Sequence, residues 1–196
     1  MKRVTVIVFA VLLVFASGAF AQPPGGGQGG QKFGLATSLQ RGYANLKMNL
    51  TQEAEKMPEA DYSFKPGTTA DVRPFGRVIA HVAEAQFGQC SGVNGVPNPM
   101  QGKHLEEELK TKAEVVKALA DSFALCDTAF SSTTDENAVQ FVKQGPNEVT
   151  RAAALYGVLV HGNEIYGTGA VYLRSKNIVP PSTERMQSGR GRGGNK

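Results

Sequence analysis

The residues best suited to chemistry are three histidines, at positions 81, 104 and 161. Imidazole binds transition metals and exchanges protons near neutral pH. His81 and His161 each lie beside apolar residues at helical spacing, so both can point inward from different helices. Facing helices of a bundle often build metal sites in this way. On spacing alone, however, two hydrogen-bonded histidines at the edge of a core are favoured over metal binding.

The neighbours of these histidines supply few further metal ligands. The residue one helical turn after His161 is Ile165, which cannot bind a metal. Glu164 and Glu84 each lie three residues from a histidine, and either carboxylate could turn towards a shared ion, although a solvated or structural role is favoured. His104 lies in the charged stretch "GKHLEEELK", which indicates a surface turn.

Cys90 and Cys126 are the two cysteines of the chain. If the protein is exported, they can form a disulfide. Two buried free thiols are an equally good interpretation, because the sequence does not give the distance between them. Tyr166 and Tyr172 are typical packing residues with a polar tip, and we identify no catalytic nucleophile.

The elements that must position these residues are four amphipathic helices, and the fold class is predicted as an all-α four-helix bundle. Thr111 and Glu114 form a capping box at the start of the third helix. The connections carry turn signals and no strand signal. The helices are predicted at about 35–57, 75–90, 111–130 and 150–176.

Both ends of the chain have a composition that differs from the bundle. Residues 1–21 have a basic start, an apolar run and a small-residue cleavage pattern, which indicates a signal peptide cleaved near Ala21 and a periplasmic or extracellular protein. Retention of this segment as a membrane anchor is the less favoured alternative. The remaining predicted parts are a Gly/Pro/Gln-rich linker at 22–33, the bundle at 34–182 and a disordered Arg/Gly tail at 183–196.

Three stretches, "MPEADYSFKP", "FGRVIAHVAEAQ" and "HGNEIYGTGAVYLRSKNIVPPS", resemble the DinB/YfiT-like family of four-helix bundles. The resemblance covers about residues 35–182. The family includes thiol-dependent S-transferases and maleylpyruvate isomerases and is described as a family of metalloenzymes. It implies a divalent metal, such as zinc or nickel, held by three histidines.

The resemblance places the family's first ligand at His81 and the second at His161. The third position coincides with Ile165, so the resemblance implies a site that lacks one ligand. Metal affinity should fall steeply without the chelating pair on one helix.

Two functions follow as hypotheses. The favoured one is an exported, non-enzymatic DinB-like protein with a weakened metal site and a binding or structural role, which binds an unknown small molecule or a partner. The alternative is a metal-dependent hydrolase or transferase that uses His81 and His161. Removal of Lys2 and Arg3 with the signal lowers the formal charge from +4 to +2, which argues against nucleic-acid binding. No membrane association is expected after cleavage, and a homodimer is left open.

Overall fold

The structure is a computed structural model that describes residues 30–193, with side chains up to Gly189. The predicted signal peptide and most of the predicted linker lie outside the described residues. The four predicted helices are confirmed, each within a few residues of its expected bounds. They are α1 (Leu35–Lys56), α2 (Phe75–Asn94), α4 (Lys112–Ser131) and α5 (Arg151–Ser175).

Five smaller elements connect or follow these helices within the described residues. A 3-10 turn spans Glu59–Asp61, and the short helix α3 spans Leu105–Glu108. Strands β1 (Phe141–Gln144) and β2 (Asn147–Thr150) form an antiparallel hairpin, and α6 spans Pro181–Gly193.

The bundle is arranged so that α1 and α2 each pack between α4 and α5. Lys112, at the start of α4, donates to the carbonyl of Glu55 near the end of α1, so these two helices are antiparallel. Helices α2 and α4 are parallel, because Gln86 pairs with Ser122 and Cys90 with Cys126. Parallel neighbours need a long crossover, which residues 95–111 provide.

The core is formed where the apolar stripes of the four helices meet. Tyr43 of α1 stacks on Phe130 of α4 with 4.0 Å between ring centroids, and its hydroxyl donates to the carbonyl of Phe123. Each large apolar side chain buried in this way stabilises the fold by roughly 1.5–3 kcal/mol. The largest buried apolar side chains include Phe75, Phe123, Phe130, Leu46, Leu50 and Leu155.

The helix ends are fixed by specific hydrogen bonds. The capping box of Thr111 and Glu114 is present at the start of α4, as predicted. The residue before α1, Gly34, has no side chain to cap the helix, and Asp135 accepts a hydrogen bond from the amide of Ala36 instead. Gly95 ends α2 with a φ of 67°, a conformation that glycine adopts readily.

The β-hairpin contradicts the expectation that residues 131–149 contain no strand. Each strand has only four residues, which is too short for a clear alternating pattern. Val142 and Val149 pair across the hairpin and pack on the core, whereas Phe141 is exposed. The side chain of Gln144 then donates to the carbonyl of Gln89 in α2. Tertiary contacts therefore define the hairpin.

Helix α6 contradicts the prediction of a disordered tail starting at residue 183. Pro181 suits the first turn of a helix, because its missing N–H has no intrahelical partner there. Glu184 pairs with Lys56, and Arg185 donates to the side chains of Gln52 and Asn49. These contacts attach α6 to α1. The prediction was wrong because it rested on the glycine-rich composition of this segment, which is typical of disordered chains.

Cys90 and Cys126 form a disulfide with a Cα–Cα separation of 5.1 Å, inside the usual range. Both residues are fully buried. The bond adds a covalent link between the parallel helices α2 and α4, which are otherwise joined covalently through the long crossover.

Candidate functional site

The two inward histidines lie beside each other. His81 in α2 and His161 in α5 have ring centroids 5.1 Å apart, with the rings nearly perpendicular at 78°. They meet because α2 and α5 are neighbours in the bundle. Their side chains are 30% and 26% exposed, so both rings lie at the edge of the core and can be reached from solvent.

A third residue of this cluster is Glu106, in α3. Its Oε1 lies 2.6 Å from Nδ1 of His81, and its Oε2 accepts a hydrogen bond from Nε of Arg73 at 2.8 Å. Sequence reasoning missed Glu106, because a run of three glutamates is typical of a solvated surface. The burial of Leu105 next to it, at the start of a short helix, turns this stretch towards α2.

Glu106 determines which nitrogen of His81 is free. An ionised carboxylate only accepts hydrogen bonds, so Nδ1 of His81 carries the proton that is donated to it. In the neutral ring, Nε2 is then left with its lone pair, ready to accept a proton or bind a metal. This pairing of a carboxylate with an imidazole also fixes the ring orientation of metal-binding histidines.

Arg73 is itself held in place. The hydroxyl of Tyr172 in α5 donates to its carbonyl oxygen at 2.6 Å. Burial raises the pKa of Tyr172, against an opposing effect of the Arg73 guanidinium, so its phenol stays protonated and able to donate. The prediction that Tyr172 packs with a polar tip agrees with this geometry.

Of the two carboxylates selected from the sequence, Glu84 is occupied elsewhere and Glu164 is an exposed neighbour of His161. Oε2 of Glu84 accepts a hydrogen bond from the amide of Leu105 at 2.7 Å, which holds the start of α3. Glu164 is 71% exposed, and its Oε2 lies 3.5 Å from Nδ1 of His161. Ile165, one turn after His161, is buried.

A surface cleft of about 640 Å³ opens beside His81. His104 lines the same cleft, although the sequence placed it in a separate surface turn. The cleft lies between α2, the 98–104 loop and the turn of the hairpin. Four carboxamide side chains line it: Gln89, Asn98, Gln101 and Gln144.

The donor groups do not fit a three-ligand metal site. Within residues 30–193, no group of three His, Cys, Asp or Glu side chains is arranged to hold a metal ion. His81 and His161 supply two imidazoles, while Glu106 is committed to Nδ1 of His81 and to Arg73.

Comparison with known proteins identifies the family. The sequence model described as the DinB superfamily matches residues 44–164, which is more than half of the chain. The chain belongs to the DinB superfamily. The match includes His81, Glu106 and His161, so the whole histidine cluster lies inside the family domain.

Two crystal structures share this DinB fold. One is a DinB-like protein from Bacillus cereus ATCC 10987, with a TM-score of 0.61 and 14% identity over 74% of this chain and 95% of the other. The second is a conserved protein from Enterococcus faecalis, with a TM-score of 0.54 and 14% identity over 73% of this chain and 97% of the other. At this identity the likeness shows the fold alone.

None of the curated proteins matches this sequence. Among the helices of residues 30–193, none is both long and apolar enough to cross a membrane.

Proposed function

We propose that this DinB-superfamily protein is exported and binds a small polar molecule in the cleft beside His81, with a metal site too weak for stoichiometric loading. The observation that carries this proposal is the adjacency of two imidazoles, 5.1 Å apart, with an isoleucine one turn after His161. By the family resemblance, Ile165 occupies the position of a third ligand.

The cleft supports a binding role. Its volume lies within the range of small-molecule sites, and its carboxamides offer both donors and acceptors. Oε1 of Gln89 is buried and has no hydrogen-bond partner among the described residues. That atom is enclosed by the protein, so a ligand with amide or hydroxyl groups would pair with the other carboxamide groups of the cleft.

The weakness of the metal site follows from its ligand count. Two neutral imidazoles leave at least half of a tetrahedral coordination sphere to water. Glu84 is tied to the amide of Leu105, and Glu164 is a mostly exposed carboxylate that lies against Nδ1 of His161. Neither carboxylate therefore replaces the side chain at position 165 without rearrangement.

A second candidate is a divalent-metal-dependent hydrolase or transferase in which His81 and His161 are ligands. The hydrogen bond between Glu106 and His81 favours it, because metal-binding histidines are commonly oriented by a carboxylate. When bound, a metal would supply Lewis-acid chemistry at the cleft. Zinc and nickel are the ions that the resemblance implies.

Substitution of Ile165 tests the proposal. If position 165 faces the two rings, Ile165→His should raise zinc affinity by at least about 10- to 100-fold, the scale on which even the hydrogen-bond partners of metal ligands change affinity. Calorimetric titration of zinc into the mature chain measures this change. Ile165→Asn is the matched control, because it introduces a polar side chain of similar size that binds zinc poorly.

Equal zinc affinity of the Ile165→His variant and wild type would overturn the placement of a lost ligand at 165. Strong zinc binding by wild type would favour the enzyme candidate instead. Expression of the full-length chain tests export: cleavage predicts an intact mass for a protein that begins at Gln22, whereas a mass that includes residues 1–21 contradicts it.

A further inference from the structure

Glu53 is a carboxylic acid enclosed in the bundle. It lies on α1 and is fully buried. Neither carboxyl oxygen has a hydrogen-bond partner among the described residues. A buried carboxylate normally has such partners, because an isolated charge in the interior is very costly. Glu53 therefore needs a separate explanation from the histidine cluster.

The carboxyl of Glu53 lies directly against Gly169 of α5. A Cβ at position 169 would lie 2.5 Å from Oε2 of Glu53, so the absence of a side chain there makes room for the carboxyl. The same arrangement occurs seven residues earlier on both helices, where Leu46 lies against Gly162. Helices α1 and α5 are thus in close contact along this line.

Among the side chains that the structure describes, up to Gly189, no counter-charge is paired with Glu53. Several titratable and charged side chains of the elements around α1 bind other groups. Arg77 of α2 pairs with Glu106 instead. The remaining pairs are Tyr166 with Ser182, Tyr172 with the carbonyl of Arg73, Tyr62 with that of Ala54, Lys112 with those of Glu55 and Met57, Lys56 with Glu184, and Arg185 with Gln52 and Asn49.

A neutral carboxyl is the form that this environment accepts. Burial raises the pKa of Glu53 from 4.5 to about 9. Because the pKa is raised in the folded state, the contribution of Glu53 to the free energy of unfolding is fully present below about pH 4.5. That contribution falls as the pH rises towards 9 and is then lost. Over this window the group alone increases the unfolding equilibrium constant by about tenfold per pH unit.

We propose that Glu53 is a proton-dependent lock between α1 and α5. With the carboxyl neutral, the two helices pack in direct contact at Gly169. Ionisation favours opening of this contact to admit water. His161 lies two turns before Gly169 on the same helix. The packing of the helix that carries His161 should therefore change with pH. This inference is independent of the proposed function.

The test compares the unfolding equilibrium of wild type and Glu53→Gln between pH 5 and pH 9 by urea denaturation. Glutamine has nearly the same shape and cannot ionise. Wild type should lose stability as pH rises relative to Glu53→Gln, approaching a tenfold change per pH unit in the ratio of unfolding constants. Glu55→Gln, an exposed site on α1, should follow wild type.

A second variant, Glu53→Met, keeps the test decisive if the glutamine amide is poorly tolerated. Hydrogen exchange of the α5 amides, corrected for intrinsic rates, should show protection that falls with pH in wild type and stays constant in both variants. If the free energy of unfolding changes with pH in the same way in wild type, Glu53→Gln and Glu53→Met, the proposal is overturned.

Discussion

The carboxylate of Glu106 determines how His81 presents its ring. It accepts the Nδ1 proton of His81 and is itself held by Arg73, whose carbonyl accepts from Tyr172. Three successive hydrogen bonds thus connect α5 to the segment before α2, that segment to α3, and α3 to α2. Networks of this kind restrict side-chain orientation more than an isolated pair does. Nε2 of His81 is the atom that they leave available.

At this scale we predict the effect of Glu106→Ala. Without the carboxylate, neutral His81 should no longer be held with the proton on Nδ1, and the Nε2–H tautomer should become substantially populated. Imidazole ¹⁵N chemical shifts above pH 8 measure the tautomer ratio. Glu107→Ala is the control, because Glu107 lies on the same short helix but is 72% exposed. An unchanged His81 tautomer in Glu106→Ala would contradict this role.

At the scale of elements, the line of contact between α1 and α5 sets how closely these helices approach. Gly162 and Gly169 lie against Leu46 and Glu53. Gly167, on the same helix, has open space around it. The two positions 167 and 169 therefore differ only in what surrounds them, and they form a matched pair for substitution.

Gly169→Ala should destabilise the protein by roughly 1–3 kcal/mol, because the added methyl group overlaps the Glu53 carboxyl. Gly167→Ala should instead stabilise it by up to about 1 kcal/mol, since alanine is the better helix former in open space. Chemical denaturation measures both changes. The cost of Gly169→Ala should shrink in a Glu53→Ala background. An equal cost in both backgrounds would contradict the proposed contact.

The long helices could be predicted from sequence because each needs only its own apolar stripe and end signals. The β-hairpin and α6 could not, because both are held by side chains distant in sequence, such as Gln144 on Gln89 and Arg185 on Gln52. In the site, His81 and His161 were predictable since both border helical stripes. Glu106 was not, because its position depends on the path of the α2–α4 crossover.

At the scale of the whole molecule, the DinB fold brings α2 and α5 together and so places the two histidines side by side. The disulfide between Cys90 and Cys126 and the docking of α6 on α1 add to this frame. The described residues of the bundle share a continuous apolar core, which packs the helices together without the side chains of the two histidines.

We propose that the histidine pair binds metal too weakly to retain it. Elemental analysis of the mature protein, after incubation with excess zinc or nickel and gel filtration, tests this most directly. We predict well below one metal ion per chain. One ion per chain, lost in both His81→Ala and His161→Ala, would contradict the claim and support the metal-dependent enzyme instead.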